Sequence, residues 1–138
     1  MTREQLQTLG ARFAAEALPR LVRPAALARL RWHQDSGHRT MVVSASLDIY
    51  VEPWARAWGI DEVIASRLQY DHAGRANGIL LGGNCWGPEK RARLLQQLRD
   101  RERWQVYAYG DSRGDREMLD EADRSYYRYM PSTGAERE

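Results

Sequence analysis

Apolar positions fall at helical spacing in the first third of the chain and in short unbroken runs beyond it. Leu6, Leu9, Phe13 and Ala17 lie on one helical stripe and predict an amphipathic helix over residues 3–18. Residues 21–37 predict a second, opened by Pro24, which suits a first turn, and ended by Gly37. The run "TMVVS" (40–44) predicts a short buried strand. Leu47, Tyr50, Val51, Trp54 and Trp58 give a third helical stripe, in which Pro53 is expected to kink or restart the helix. "EVIASRLQYD" (62–71) predicts a strand, "HAGRANG" a turn and "ILL" the returning strand of a hairpin. Pro88 marks the start of a helix with Leu94, Leu95 and Leu98 on one face. "WQVYAYG" (104–110) predicts another buried strand, "RGDREMLDEA" a helix with Met118, Leu119 and Ala122 turned inward, and "SYYRYM" (125–130) a last strand. Strand and helix alternate from Thr40 onward, which predicts an α/β layer built on a parallel sheet.

Composition narrows the class. A chain of 138 residues with 43% apolar and 29% charged positions suits one globular domain and excludes a disordered one. No stretch approaches the roughly 18 apolar residues of a membrane span, and "MTREQLQTLG" lacks the layout of a signal peptide. Cys85 is the only cysteine, so no internal disulfide can form, and a reducing cytoplasm is expected. The net charge of +2 is modest. Lys90 is the only lysine, so the 21 basic residues include 20 arginines. They are scattered, as codon usage in a GC-rich genome produces, and leave a nucleic-acid partner as a remote alternative.

Chemistry is expected beyond the carboxyl ends of the strands, where open parallel sheets bind ligands. Ser44 closes "MVVS", and a hydroxyl there, followed by backbone amides entering a helix, can cradle a phosphate. Asp111 follows "VYAYG", with Asp115 one helical turn on, and both are hard oxygen donors suited to Mg²⁺. Lys90 sits in a first helical turn, against the helix dipole, a position that makes sense beside an anion. Each has a plainer reading: Ser44 and Asp111 as helix caps, Asp115 as a first-turn acid, Lys90 as a surface lysine. Their coincidence at strand and helix ends carries the functional reading. His33, His38 and His72 lack metal-ligand spacing, Cys85 lacks a nearby histidine, and "DEAD" (120–123) has no accompanying phosphate loop.

In this order the features resemble the haloacid dehalogenase-like phosphatases, in the branch that includes phosphoserine phosphatase. "VVSAS" looks like the second motif of that family, "NCWGPEKRARLL" the third and "YGDSRGDREML" the fourth. The resemblance implies that Ser44 and the Ala45 amide bind the phosphoryl group, that Lys90 acts catalytically on the phosphate and the nucleophile's charge, and that Asp111 and Asp115 serve Mg²⁺. It implies a Rossmann-like parallel sheet flanked by helices and a small phosphorylated metabolite as substrate. The family's first motif is an Asp-x-Asp pair, nucleophile and general acid–base, after the first strand. No two aspartates of this sequence are separated by a single residue. The resemblance therefore implies a shortened form without the first central strand, inactive by itself. On that reading residues 1–38 are a remnant of a helical cap with its connecting helix, 39–131 the α/β core and 132–138 a flexible tail. A sheet missing its central strand is expected to repack, to recruit a homo-oligomeric partner or a complementing N-terminal segment, or to be marginally stable. Gly114 stands where phosphoserine phosphatases usually carry Asn, which weakens phosphoserine as the substrate. A non-catalytic module that binds phosphate, metal or a protein partner is the alternative.

Overall fold

The computed structural model describes residues 1–131, and the tail expected over 132–138 lies outside the described residues. Helix α1 (Arg3–Glu16) opens with a capping box. The Thr2 hydroxyl accepts from the Gln5 amide at 3.2 Å, and the Gln5 side chain accepts from the Thr2 amide at 2.9 Å. Pro19 cannot extend the hydrogen-bond ladder, so a one-turn helix α2 (Leu18–Leu21) follows separately. Helix α3 (Pro24–Asp35) begins at Pro24 as the sequence predicts.

Helix α4 (Asp48–Ala57) runs through Pro53 instead of breaking there. Pro53 has no N–H for the Ile49 carbonyl, which leaves that acceptor open. Helix α1 crosses at this point with Gly10: a Cβ there would lie 2.0 Å from the Ile49 oxygen. The proline's missing donor and the glycine's missing side chain thus belong to one close helix contact. Beside it the Phe13 and Tyr50 rings meet edge-on at 4.9 Å.

Strand β1 (Met41–Leu47) pairs in parallel with β2 (Glu62–Tyr70), with Met41 opposite Glu62 and Val43 opposite Ile64. Strand β3 (Ala76–Leu81) returns antiparallel to β2, the expected hairpin. After helix α5 (Pro88–Leu98) come β4 (Tyr107–Gly110), helix α6 (Arg116–Glu121) and β5 (Arg124–Tyr127), with β4 and β5 parallel. Strand β4 is shorter than the sequence predicts. The Val106 amide donates instead to the Asp123 carboxylate at 2.7 Å, and its carbonyl accepts from the Asp123 and Arg124 amides.

Parallel pairing and flanking helices give the expected α/β layer, divided into two sheets ordered β1-β2-β3 and β4-β5. Strands β1 and β4 are therefore each at an edge. They share one supporting layer: Met41, Val43 and Val106 pack against a cluster of Leu94, Leu98, Ala108, Met118 and Leu119. Alternation along β4 sends Tyr107 and Tyr109 to the other face, where Trp32 and His33 of α3 meet them. Among the described residues no helix is long and apolar enough to cross a membrane.

Candidate functional site

Lys90 lies at the third position of α5 and is 6% exposed, so it is no surface lysine. Three contacts put it there. The Gly87 amide donates to the Gly114 carbonyl at 2.9 Å, tying the start of α5 to the loop after β4. The Ser66 hydroxyl, wholly buried, accepts from the Cys85 amide at 3.0 Å and donates to the Asn84 side chain at 3.0 Å, fixing the preceding loop on β2. Arg93, held by Glu89, donates to the carbonyls of Ala65, Gly82 and Gly83 and staples α5 to the hairpin.

The Lys90 ammonium donates to Asp115 Oδ1, and Asp115 is likewise 6% exposed. Asp115 Oδ2 accepts from the Asp111 amide at 3.0 Å, the Ser112 amide at 3.2 Å and the Ser112 hydroxyl at 3.3 Å. Burial pushes the Asp115 carboxyl up, but the bond to Lys90, its charge and the two amides outweigh it, and the net direction is down. Asp115 is thus a buried carboxylate that shapes the loop after β4 and fixes Lys90. Its room comes from Gly110, where a Cβ would lie 2.6 Å from that of Asp115. Gly114 has a similar reason: a Cβ there would lie 2.4 Å from the Trp86 indole nitrogen.

Asp111 follows directly on β4 with its side chain exposed, and among the described residues its carboxylate makes no hydrogen bond or ion pair. Ser44 is half-buried in β1, and its hydroxyl oxygen accepts from the Ser46 amide at 3.0 Å, leaving its proton to donate elsewhere. The structure therefore joins Lys90, Asp115 and the Asp111 backbone in one cluster. No hydrogen bond or ion pair among the described residues links Ser44 or Ala45 to it, since they stand on the other side of the division between β1 and β4. As a Mg²⁺ site the set fits in part. Asp111 offers a hard, exposed oxygen donor, both Asp115 oxygens are already engaged, and among the described residues no group of three or more His, Cys, Asp or Glu could hold a metal.

A second polar cluster escaped the sequence. Arg29 is 1% exposed and donates from Nε to the Tyr109 hydroxyl at 2.8 Å, with its guanidinium 4.2 Å from the Trp32 ring. The Tyr109 hydroxyl lies 2.6 Å from His33 Nε2, and His33 Nδ1 lies 2.8 Å from His38 Nδ1. Donors and acceptors agree if Tyr109 donates to a neutral His33 that in turn donates to His38. Burial, with Arg29 and His38 nearby, lowers the His33 pKa to about 4, in keeping with that neutral ring. The bonds to Tyr109 span 80 and 76 positions of chain, too far for any spacing rule to reveal.

Comparison with known proteins supplies the setting. A family model described as haloacid dehalogenase-like hydrolase matches residues 1–120. Protein CicA of Caulobacter vibrioides is 40% identical over 124 residues, covering 90% of this chain and 55% of the relative. The chain thus spans about half the length of the curated relatives it matches. Its fold is similar to that of a protein of unknown function from Bordetella pertussis Tohama I, with TM-score 0.78, 24% identity, and 91% of this chain against 58% of that one. It is also similar to a phosphoserine phosphohydrolase-like protein from Francisella tularensis, with TM-score 0.65, 18% identity, and 90% against 56%.

Proposed function

Because this chain belongs to the haloacid dehalogenase-like hydrolases, we propose that it supplies the phosphate- and metal-binding half of a Mg²⁺-dependent phosphomonoester hydrolase acting on a small phosphorylated metabolite. The observation that carries the reading is the buried Lys90–Asp115 pair beside the exposed Asp111 carboxylate at the end of β4. A buried ion pair is a poor route to stability, so its retention calls for a use.

The use is to hold a cation where an anion arrives. With Oδ1 of Asp115 fixing its ammonium, Lys90 offsets charge on a phosphoryl group and on the carboxylate that attacks it. Ser44 donates its hydroxyl proton to a phosphoryl oxygen while its own oxygen stays anchored by Ser46, and the Ala45 amide adds a second donor. Asp111 is the ligand this chain gives to Mg²⁺, and Asp115 sets the position of Asp111 through its amide. Bound Mg²⁺ supplies charge neutralisation on the phosphoryl oxygens.

The attacking carboxylate is not among these residues. No Asp-x-Asp pair occurs in the sequence, and Asp115 is committed to Lys90. The 138 residues alone are therefore expected to hydrolyse p-nitrophenyl phosphate with Mg²⁺ at a negligible rate. Robust turnover that disappears in Asp111→Asn would show that a nucleophile is present after all.

A further inference from the structure

Arg128 stands directly after β5, as Asp111 stands directly after β4. The two strand ends are in register: Tyr127 lies opposite Gly110, and the Arg128 amide donates to the Gly110 carbonyl at 2.8 Å. Parallel sheets bind ligands beyond such ends. The Arg128 backbone has φ 56°, a conformation that glycine takes freely and that crowds a residue with a side chain. Among the described residues Arg99 is the other non-glycine residue with positive φ, and it is the C-cap of α5, where helices commonly end on such a residue. Arg128 ends no helix. Backbone strain without a structural reason points to use of the side chain.

The side chain shows that use. Arg128 Nε donates to the Asp111 carbonyl at 3.2 Å, and the guanidinium carbon lies 5.1 Å from the centre of the Tyr127 ring. The arginine is thus held across the two strand ends. Its Nη nitrogens are exposed and meet no carboxylate among the described residues. Other arginines differ: Arg39 is paired with Glu62, Arg91 with Glu121 and Arg93 with Glu89. Nor does the Asp111 carboxylate pair with Arg128, although the carbonyl of the same residue does.

We propose that Arg128 is a second anion-binding position of the site, and that its Nη nitrogens take a carboxylate or phosphate carried by the same small molecule as the reacting phosphoryl group. With Nε engaged, the two Nη nitrogens remain as a fork that matches two oxygens of such a group. The anchor sets the reach. The carbonyl that holds Nε and the carboxylate offered to the metal both belong to Asp111, so the two anionic groups fit within one small metabolite. The substrate class is then a phosphomonoester with a further acidic group, not the phosphate of a neutral alcohol. This rests on the phosphomonoesterase reading and deepens it.

Calorimetric titration of the 138-residue chain in Mg²⁺ at low salt tests the proposal. Ethyl phosphate carries one anionic group, while phosphoglycolate and ethylene glycol bisphosphate add a carboxylate and a phosphate. At least one of the latter two is expected to bind about fivefold tighter than ethyl phosphate, and the larger gain identifies the group. Arg128→Gly suits the positive φ and is expected to keep a native circular dichroism spectrum. It should reduce the gain to about twofold or less while leaving the affinity for ethyl phosphate within about twofold. A merely structural role through the Asp111 carbonyl would weaken all three ligands alike. Equal affinities in the wild type, or equal weakening in Arg128→Gly, overturn the proposal and leave the phosphomonoesterase reading standing. A gain that needs Arg128 but is indifferent to Mg²⁺, Ser44→Ala and Asp111→Asn upholds the anion position and counts against that reading. Absence of binding by all three overturns both.

Discussion

Replacing Asp115 by Asn is the most informative single change to the site. It removes the charge opposite Lys90 yet keeps an oxygen that can accept from the Asp111 and Ser112 amides. Both partners are 6% exposed, so water cannot take over the role of the carboxylate. Removing one member of such a pair costs about 3–5 kcal/mol, a large part of the roughly 5–15 kcal/mol that holds a domain together. With a urea dependence of roughly 1.5 kcal/mol per molar, the unfolding midpoint falls by about 2–3 M. The double variant Lys90→Met with Asp115→Leu removes both charges and is expected to recover most of that loss. Urea titrations of wild type, Lys90→Met, Asp115→Leu and the double variant, followed by tryptophan fluorescence, give the coupling energy, with Asp115→Asn measured beside them. A coupling under about 1 kcal/mol, the value of a solvated surface pair, would refute the claim that Asp115 is the buried anchor of Lys90.

Other expectations rest on separate observations. Gly110→Ala drives a methyl group into Asp115 and is expected to cost about 1–3 kcal/mol, read as a lower Tm. Gly10→Ala meets the rigid Ile49 carbonyl and should lie at or above the upper end of that range, with lost contact between α1 and α4 visible as exposure of Tyr50. Stability should also fall with acid. The lowered His33 pKa means the unfolded chain binds more protons between about pH 6.5 and 4, so His33 stabilises the fold above that window and the contribution is lost across it. That loss is on the order of 3 kcal/mol and should shrink in His33→Gln, as denaturation series at several pH values would show. The depressed Asp115 carboxyl adds a further loss as pH falls below the ordinary carboxylate range.

The parts legible in the sequence are those that local chemistry determines. The hairpin of β2 and β3 shows in its turn residues, α5 in Pro88 and its leucine stripe, and the parallel layer in the alternation after Thr40. Lys90 and Asp115 could be named from their places at a helix start and a strand end, but not their burial or their bond. Pro53 does not restart the helix, and the close approach of Gly10, some forty residues earlier, to the Ile49 carbonyl is a contact no local rule reveals. The Arg29–Tyr109–His33 cluster was hidden for the same reason. The two glycines of "YGDSRGD" had a cause the sequence withheld: one makes room for Asp115, the other for Trp86.

The central claim is that these residues bind a phosphoryl group with Mg²⁺ even where no nucleophile is present. Calorimetric titration of the 138-residue chain with tungstate, a phosphate mimic, tests it most directly, with and without Mg²⁺. The account predicts binding that Mg²⁺ strengthens, that Ser44→Ala weakens, and whose Mg²⁺ dependence is lost in Asp111→Asn, an exposed position where folding is unaffected. Binding indifferent to Mg²⁺ and to both substitutions, or no binding at all, would contradict it.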